Sequence, residues 1–402
     1  TTVGEIVAWV IGWDLILEML MAGSVVSKYW GVYLNQFFEL IGWNINTNIA
    51  IGSFNFDLAP VIIVAFFTAL LVMGTKIGAR VDGALTILKI AIVVFIVVVG
   101  FFYIKAENFT PFIPPSEPAA STDGSGVSAV MEQPLWQWAT GMAPSIYGVT
   151  GIISGAALVF FAFLGFDVVA TASEETINPK KNVPLGIGVG LGLIIVLYTL
   201  VAIVTTGMVS YKDLAKQSDP SLAVAFKMVG ADWAAKIISL GIVIGMATVV
   251  MVLLLGLTRV VFAMSRDGLL PRGLSHTGKH GTPVRLQIIV GVVMALIAAC
   301  CNVGILSDMV NIGTLSAFTL VAISIPIMRK KRPDLERSFK IPGNPWVPIL
   351  IALANLWLMV NLSVLTWIRF VVWLIVGFAI YFGYGYRHAR LGAGELEVAA
   401  QE

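Results

Sequence analysis

Long apolar runs, separated by short segments that carry charges, proline or glycine, dominate this sequence. Most of the runs approach or exceed the ~20 consecutive apolar residues that an α-helix needs to cross a bilayer. We therefore predict an all-α membrane protein in which residues 1–402 form a single transmembrane domain. The ten predicted spans are residues 5–28, 59–76, 83–104, 150–173, 184–209, 233–264, 284–303, 306–328, 345–362 and 364–386.

The composition supports this prediction and excludes two other classes of protein. Of the 402 residues, 58% are hydrophobic and only 12% are charged, whereas about a quarter of the residues of a soluble domain are charged. A large soluble core and a peripheral membrane protein are therefore excluded. The sequence also lacks the basic face that nucleic-acid binding requires, so nucleic acid is not an expected partner. The apolar composition instead predicts contact with the lipid bilayer.

Positive charge is distributed unevenly among the connecting segments and predicts an orientation. Most of the 25 lysine and arginine residues fall in alternate connections, at residues 75–82, 174–183, 265–285, 329–340 and 387–390. Cytoplasmic loops carry an excess of such residues. The first predicted span therefore runs from inside to outside, and both ends of the chain are expected in the cytoplasm.

The fourth predicted span holds a glycine and an acid near its middle, in the stretch Phe160-Phe161-Ala162-Phe163-Leu164-Gly165-Phe166-Asp167. A helix broken at this depth exposes backbone carbonyl and N–H groups, and transporters use such breaks to hold small ions and zwitterions. The first half would end near Phe161 and offer partial negative charge to an ammonium group. The alternative is an unbroken helix with one packing glycine.

Lys89 lies about two turns inside the third predicted span. A lysine at this depth costs up to roughly 2.5–3.5 kcal/mol, so its side chain is expected to face the protein interior or to snorkel towards the interface. In the interior, its lowered proton affinity would allow it to release and regain a proton. At the interface, it would be only an anchor.

Asp14 and Glu18 lie four residues apart in the first span and therefore share one helical face. Carboxyl groups within a membrane are expected to face other helices and to be paired or protonated. A structural polar contact is the preferred interpretation, and a direct role with substrate is the alternative.

The residues that usually carry enzymatic or metal chemistry give no such pattern. His276, His280 and His388 fall in predicted cytoplasmic segments, and the adjacent Cys300 and Cys301 are expected to be small apolar fillers. The spans contain neither an HExxH motif nor a G-x-S-x-G elbow. We predict that the protein is not an enzyme and that it has no metal and no bound cofactor.

Several short motifs occur in a characteristic order along the chain. They are Gly12-Trp13-Asp14-Leu15-Ile16-Leu17-Glu18, Arg80-Val81-Asp82-Gly83 with Thr86 and Lys89, Phe163 to Asp167 followed by Glu174-Glu175 and Asn178-Pro179-Lys180-Lys181-Asn182-Val183-Pro184, Phe262-Ala263-Met264-Ser265-Arg266-Asp267-Gly268-Leu269-Leu270-Pro271 with Gly281-Thr282-Pro283, and Ile312-Gly313-Thr314-Leu315 with Arg332-Pro333-Asp334. Together they resemble amino-acid permeases of the amino acid–polyamine–organocation superfamily, in its cationic amino acid transporter branch.

The resemblance implies a fold as well as a site. The family has twelve helices, of which one to five and six to ten form inverted repeats around a central site. This chain resembles the family from its third helix onward, so we expect the five-plus-five inverted-repeat fold without its first two helices. The first helix of the family normally receives the substrate carboxylate, so the residues of this chain would form the other half of the site.

The resemblance also assigns roles to particular residues. The backbone around Phe161, Ala162 and Gly165 would meet the substrate amino group, and Phe161 would be an aromatic gate. Lys89 would stand where sodium-coupled relatives hold a sodium ion, which implies proton coupling. The further residues implied near the pocket, the ion site or the break are Phe163, Phe166, Asp167, Met246 and Thr248.

The expected function is secondary active transport of amino acids by alternating access, coupled to protons by symport. Amino-acid exchange is a close variant, and the competing class is a non-transporting membrane protein, either an amino-acid sensor without flux or an intramembrane enzyme. The composition is compatible with a bacterial inner membrane. The sequence does not indicate which amino acids are carried, nor the oligomeric state.

Overall fold

A computed structural model of the chain confirms the all-α membrane fold class. It describes residues 4–43, 45, 47–51, 54–74, 79–118, 127–143, 145–166, 169, 176–217, 220–278, 282–331, 333, 341 and 343–389. The helices of this part of the chain are α1 (Glu5–Leu40), α2 (Leu58–Val72), α3 (Ala79–Phe101), α4 (Val127–Glu132), α5 (Leu135–Thr140), α6 (Gly148–Val159), α7 (Pro179–Met208), α8 (Tyr211–Ala215), α9 (Leu222–Met228), α10 (Asp232–Arg266), α11 (Val284–Cys300), α12 (Val303–Lys331), α13 (Trp346–Val360), α14 (Val364–Ile380) and α15 (Tyr386–His388).

Six helical segments among the described residues are long and apolar enough to cross a membrane. They are Glu5–Leu40, Gly83–Phe101, Pro179–Met208, Asp232–Arg266, Val303–Lys331 and Val364–His388. The shorter apolar segments are Leu58–Val72, Gly148–Phe163, Val284–Cys300 and Trp346–Val360.

The first helix is longer than its predicted span, because it continues to Leu40 rather than ending at residue 28. Its added turns, residues 29–40, are largely apolar and aromatic, and two of their polar side chains contact residues at α9. Ser221 Oγ lies 2.8 Å from Gln36 Oε1, and Lys227 Nζ lies 2.9 Å from Glu39 Oε1. These contacts join the end of α1 to α9.

The first helix is also the centre of the bundle, since its closest packing is against α10 and α12. Its buried face contributes Trp9, Trp13 and Leu17 to the apolar core. By contrast, α7 exposes large apolar side chains along much of its length, including Leu185 and Val189. Such a surface is typical of a helix that faces lipid.

Short β-structure organises two of the connections. Strands β1 (Asn48–Ile51) and β2 (Phe54–Asp57) form an antiparallel hairpin before α2. Strands β3 (Glu117–Pro118) and β4 (Ser145–Ile146) pair immediately before α6. The second pair ties the long connection after α3 to the start of α6.

The two ends of the described bundle meet at one side. The last long helix continues through a π-helical turn, Tyr381–Gly385, to α15. Tyr381 Oη donates a 3.0 Å hydrogen bond to Glu5 Oε1 at the start of α1. Arg272 of the α10–α11 connection approaches the carbonyl of His388, with Nη2 3.4 Å from the oxygen.

Candidate functional site

The fourth predicted span is broken, which excludes the alternative of an unbroken helix. The α-helix ends at Val159, a little before the predicted end near Phe161, and a 3₁₀ turn follows over Phe160–Phe163. Leu164 is then extended, with φ −70° and ψ 152°, and Gly165 has a φ of +118°. Helical geometry is therefore lost within one turn.

Gly165 is needed for its backbone conformation rather than for space. A Cβ atom built on it would meet nothing within 4 Å. Its positive φ, however, lies in a region that side chains with a Cβ rarely adopt. The glycine seen in the sequence is thus the residue that allows the chain to turn away from the axis of α6.

Two side chains from other helices bind carbonyl oxygens around the break. Asn311 of α12 donates a 3.0 Å hydrogen bond from Nδ2 to the carbonyl of Leu158. Tyr198 of α7 donates a 2.9 Å hydrogen bond to the carbonyl of Ala162. The carbonyl of Leu158 also accepts a backbone N–H at the end of α6, so Asn311 adds a second donor to it, and both side chains tie the break to neighbouring helices.

The aromatic rings of the break diverge into different surroundings. Phe160 packs against the buried cluster of Leu17, Ala157, Met309, Ile312, Leu315, Met359, Leu362 and Phe370. Phe161 and Leu164 pack against a second cluster, formed by Ala22, Leu253 and Val310. The predicted gate residue Phe161 therefore lies where α1, α10 and α12 meet.

Phe163 and Phe166 contact other aromatic rings. The ring of Phe163 lies edge-on to Tyr198, with centroids 5.3 Å apart. The ring of Phe166 lies 5.2 Å from that of Phe318 on α12. The rings of the break thus contact α7 on one side and α12 on the other.

Lys89 packs against Gly245 at the crossing of α3 and α10. A Cβ atom built at Gly245 would lie 3.3 Å from Lys89 Cγ. Thr248, which is buried, donates a 2.9 Å hydrogen bond to the carbonyl of the same glycine. Lys89 on α3 and Thr248 on α10 thus both contact Gly245, the lysine through its stem and the threonine through a hydrogen bond within its own helix.

Met246 contacts a different apolar cluster from Phe160 and Phe161. This cluster consists of Tyr33, Ile96, Val204, Met208, Val209, Ala223, Ala225, Phe226, Ala231, Ala234, Ala235 and Ile238. On the same helix, Val249 and Leu253 belong to or pack against the cluster that Phe161 contacts. Met246, Val249 and Leu253 are spaced three and four residues apart, so they share one side of α10.

Asp14 and Glu18 are buried, as expected of carboxyl groups on one helical face. Their exposed fractions are 0% and 2%. Asp14 lies against α12, where Ser316 is its polar neighbour. Its backbone carbonyl would lie 3.6 Å from a Cβ atom at Gly313. The pair therefore lies in the closest-packed part of the bundle, between α1 and its neighbours.

The remaining candidates lie at the surface or outside the described residues. His276 and His388 are exposed, and both cysteines are free. Within the described part of the chain, histidine, cysteine and acidic side chains form no group of three suited to a metal ion. Asp167 and His280 lie outside the described residues.

Sequence reasoning missed several residues that shape this site, of which Tyr198, Asn311 and Gly245 are the clearest. One signal was available for Gly245, since Gly241 and Gly245 form the small-xxx-small spacing of closely packed membrane helices. For Asn311 the signal was an amide within an apolar helix. Tyr198 gave no comparable signal, because tyrosine is common in membrane proteins.

This arrangement of a broken helix beside a lysine–glycine crossing agrees with the similarity of the chain to known proteins. Residues 1–383 match the model of the Amino acid permease family. The chain belongs to this family. The branched-chain amino acid permease BcaP of Bacillus subtilis (strain 168) is 40% identical to it over 400 residues, which covers 97% of this chain and 78% of the relative.

Two further relatives of the permease are named for other substrates. The methylthioribose transporter of Bacillus subtilis (strain 168) is 39% identical over 398 residues, covering 97% of the permease and 78% of the relative. The mitochondrial cationic amino acid transporter 3 of Arabidopsis thaliana is 34% identical over 341 residues, which covers 83% of this chain and 51% of the relative. The resemblance to the amino acid–polyamine–organocation superfamily is confirmed, and the permease is an integral membrane transporter rather than an enzyme.

Proposed function

We propose that the permease moves amino acids across the membrane by alternating access, in symport with protons. Membership of the amino acid permease family supports amino-acid transport in general. The observation that supports the proposed transport mechanism is the break at Phe160–Gly165, which lies within the bundle rather than at a loop. Irregular backbone at such depth is a recurrent device for binding ions and zwitterions.

The proposed substrate site is the break together with the helices that surround it. The carbonyl end of α6 carries partial negative charge and suits the ammonium group of an amino acid. In this proposal the backbone of Phe161, Ala162 and Gly165 meets that group, and the ring of Phe161 closes over it. Phe163, Phe166, Asp167 and Met246 are proposed as the more peripheral members of the site.

Proton coupling is proposed at Lys89, with Thr248 as its neighbour. The stem of Lys89 lies along Gly245 in a helix–helix contact, and a lysine within a membrane-spanning segment is a frequent element of proton pathways. Release of a proton there during one half of the cycle would link proton movement to substrate movement. Asp14 and Glu18 are proposed as structural polar groups in the α1 interface.

The substrate class is narrowed by the family but not to a single compound. Three of the similar transporters are named for branched-chain amino acids, methylthioribose and cationic amino acids, respectively. The described pocket surroundings are apolar, with Phe161, Leu164 and Leu253 among them. We therefore expect a neutral, apolar side chain to be preferred over a cationic one.

The proposed location is a bacterial inner membrane, with both chain ends in the cytoplasm. The high identity to Bacillus proteins supports the membrane. The proximity of Glu5 to Tyr381, and of Arg272 to His388, supports a common side for the two ends. Labelling of single cysteines placed at residue 4 and at residue 389 in intact cells and in inverted vesicles tests the orientation.

The function is tested by uptake into proteoliposomes of radiolabelled valine, leucine, arginine, lysine, alanine and methylthioribose. Each is measured with and without an inward proton gradient, for the unchanged protein, Lys89→Ala and Lys89→Arg. We expect gradient-driven accumulation of an apolar amino acid by the unchanged protein. Lys89→Ala should lose accumulation but keep exchange of internal for external substrate, because exchange needs no net proton movement.

Three other results would change the proposal in different ways. Exchange without accumulation by the unchanged protein would make it an exchanger. Binding without flux would make it a sensor, and accumulation of methylthioribose alone would move it to another substrate class.

A further inference from the structure

Asn311 is an amide within an apolar stretch of α12, and its side chain is fully buried. A buried amide is unfavourable unless it is hydrogen-bonded. Its Nδ2 donates to the carbonyl of Leu158, 3.0 Å away and 153 positions distant in sequence. Leu158 lies in the last turn of α6, immediately before the break.

The two neighbours of Asn311 in sequence belong to different apolar clusters. Val310 lies in the cluster that contacts Phe161, whereas Ile312 lies in the cluster that contacts Phe160. The consecutive rings of Phe160 and Phe161 thus contact these same two clusters, one ring each. The hydrogen bond of Asn311 is made at the boundary between them.

Apolar contact alone does not fix this division of the rings. Burial is non-directional and depends on area, so a phenyl ring is accepted by either cluster. A hydrogen bond, by contrast, has a required distance and direction. The contact between Asn311 and Leu158 therefore distinguishes one rotation of the break about the axis of α6 from another.

We propose that Asn311 is a positioning residue for the substrate site, which it acts on through the carbonyl of Leu158. Its amide holds the last turn of α6 and so sets the direction in which Phe161 and the following backbone point. This inference deepens the proposed function and rests on it where transport is concerned. The structural part of the proposal concerns the break alone.

The donor of the amide is the group that matters. Asn311 Oδ1 is buried, and it has no hydrogen-bond partner among the described residues. Asn311→Asp keeps the shape and replaces the donor with an oxygen that donates only when protonated. Asn311→Leu removes the donor at every pH. Thr319→Val is the matched control, because the buried hydroxyl of Thr319 on the same helix donates only within it, to Leu315.

Two measurements test the proposal on the full chain. Hydrogen–deuterium exchange of residues 158–166 should be faster in Asn311→Leu and in Asn311→Asp at pH 8, and unchanged in Thr319→Val. In proteoliposomes, loss of one buried hydrogen bond should raise the KM for the transported amino acid by about 5- to 30-fold, with a smaller change in maximal rate. Lowering the pH to 5.5 should restore part of the protection in Asn311→Asp but none in Asn311→Leu.

The proposal is overturned if both variants match the unchanged protein in the hydrogen–deuterium exchange of residues 158–166 and in KM. It is also overturned if hydrogen–deuterium exchange becomes faster throughout the chain rather than at residues 158–166, because Asn311 would then support the whole bundle. If Asn311→Leu does not fold, Asn311→Asp decides by its pH dependence. Absence of uptake by the unchanged protein would contradict the proposed function. The hydrogen–deuterium exchange measurement would still decide the role of Asn311 at the break.

Discussion

Lys89 and Gly245 lie so close that a Cβ atom added to the glycine would stand 3.3 Å from Cγ of the lysine. The contact joins α3 to α10. Thr248 donates its hydroxyl hydrogen to the carbonyl of the same glycine. Gly245 is thus contacted by Lys89 from another helix and by Thr248 from its own.

The first prediction concerns the space at Gly245. Gly245→Leu should separate α3 from α10 and displace the stem of Lys89, because overpacking of a close helix contact costs about 1–3 kcal/mol. We expect a large loss of gradient-driven uptake, measured as initial rate per reconstituted protein. Gly192→Leu is the control, since a Cβ atom at Gly192 would meet nothing within 4 Å. Equal uptake by the two variants would contradict a role for this crossing.

The second prediction concerns the backbone of Gly165. Gly165→Ala should destabilise the break by about 1–3 kcal/mol, because it forces a Cβ into a sparsely allowed conformation. Gly155→Ala, which likewise has open space around its Cβ position but lies in the regular part of α6, should be tolerated. Thermal unfolding in detergent measures the difference. If both alanines behave alike, the positive φ of Gly165 is not what the site requires.

The third prediction concerns the hydroxyl of Tyr198. Tyr198→Phe removes the hydrogen bond to the carbonyl of Ala162 but keeps the ring against Phe163. A hydrogen bond of this kind is worth about 0.5–1.5 kcal/mol, so we expect uptake at low substrate concentration to fall by up to about tenfold. Thr199→Val is the control, as its hydroxyl bonds only within its own helix, to Ile195. An unchanged KM in Tyr198→Phe would show that the carbonyl of Ala162 needs no such donor.

The fourth prediction concerns a surface pair next to the start of α6. Lys212 Nζ lies 2.8 Å from Glu117 Oε1 and above the ring of Tyr147. The hydrogen bond to Glu117 raises the pKa of Lys212 above its usual 10.5. A raised pKa in the folded state means that the contribution to stability is complete below pH 10.5 and disappears as the pH rises through the folded-state pKa.

This pH dependence is measured as the difference in thermal unfolding midpoint between the unchanged protein and Glu117→Gln. The difference should be small at pH 8, since the pair is solvent-exposed, and it should decrease as the pH is raised from 8 to 11 and above, because Lys212 then loses its proton. Raising the salt concentration at pH 8 should also reduce it. Glu107→Gln, which alters an exposed carboxylate in the same connection, serves as the control. A difference that does not decrease with rising pH would mean that Glu117 acts without Lys212.

The sequence alone determined the features that depend on local chemistry. Runs of apolar residues specified a helical membrane protein, because backbone groups in lipid must bond within their own segment. The glycine in the Phe160–Asp167 stretch made a break possible, since only glycine readily takes the conformation found at Gly165, but the structure was needed to exclude an unbroken helix. The spacing of Asp14 and Glu18 likewise placed both carboxyl groups on the buried face of α1.

Tertiary structure decided which partner each buried group meets. The bond from Asn311 to Leu158 spans 153 positions, and the contact between Lys89 and Gly245 joins two helices that are also distant in sequence. The partners of Gln36 and Glu39 at the end of α1 come from Ser221 and Lys227 at α9, 185 and 188 positions away. Periodicity reports which side of a helix is buried, but the neighbour on that side depends on how the helices cross, and that is fixed only when the whole bundle packs.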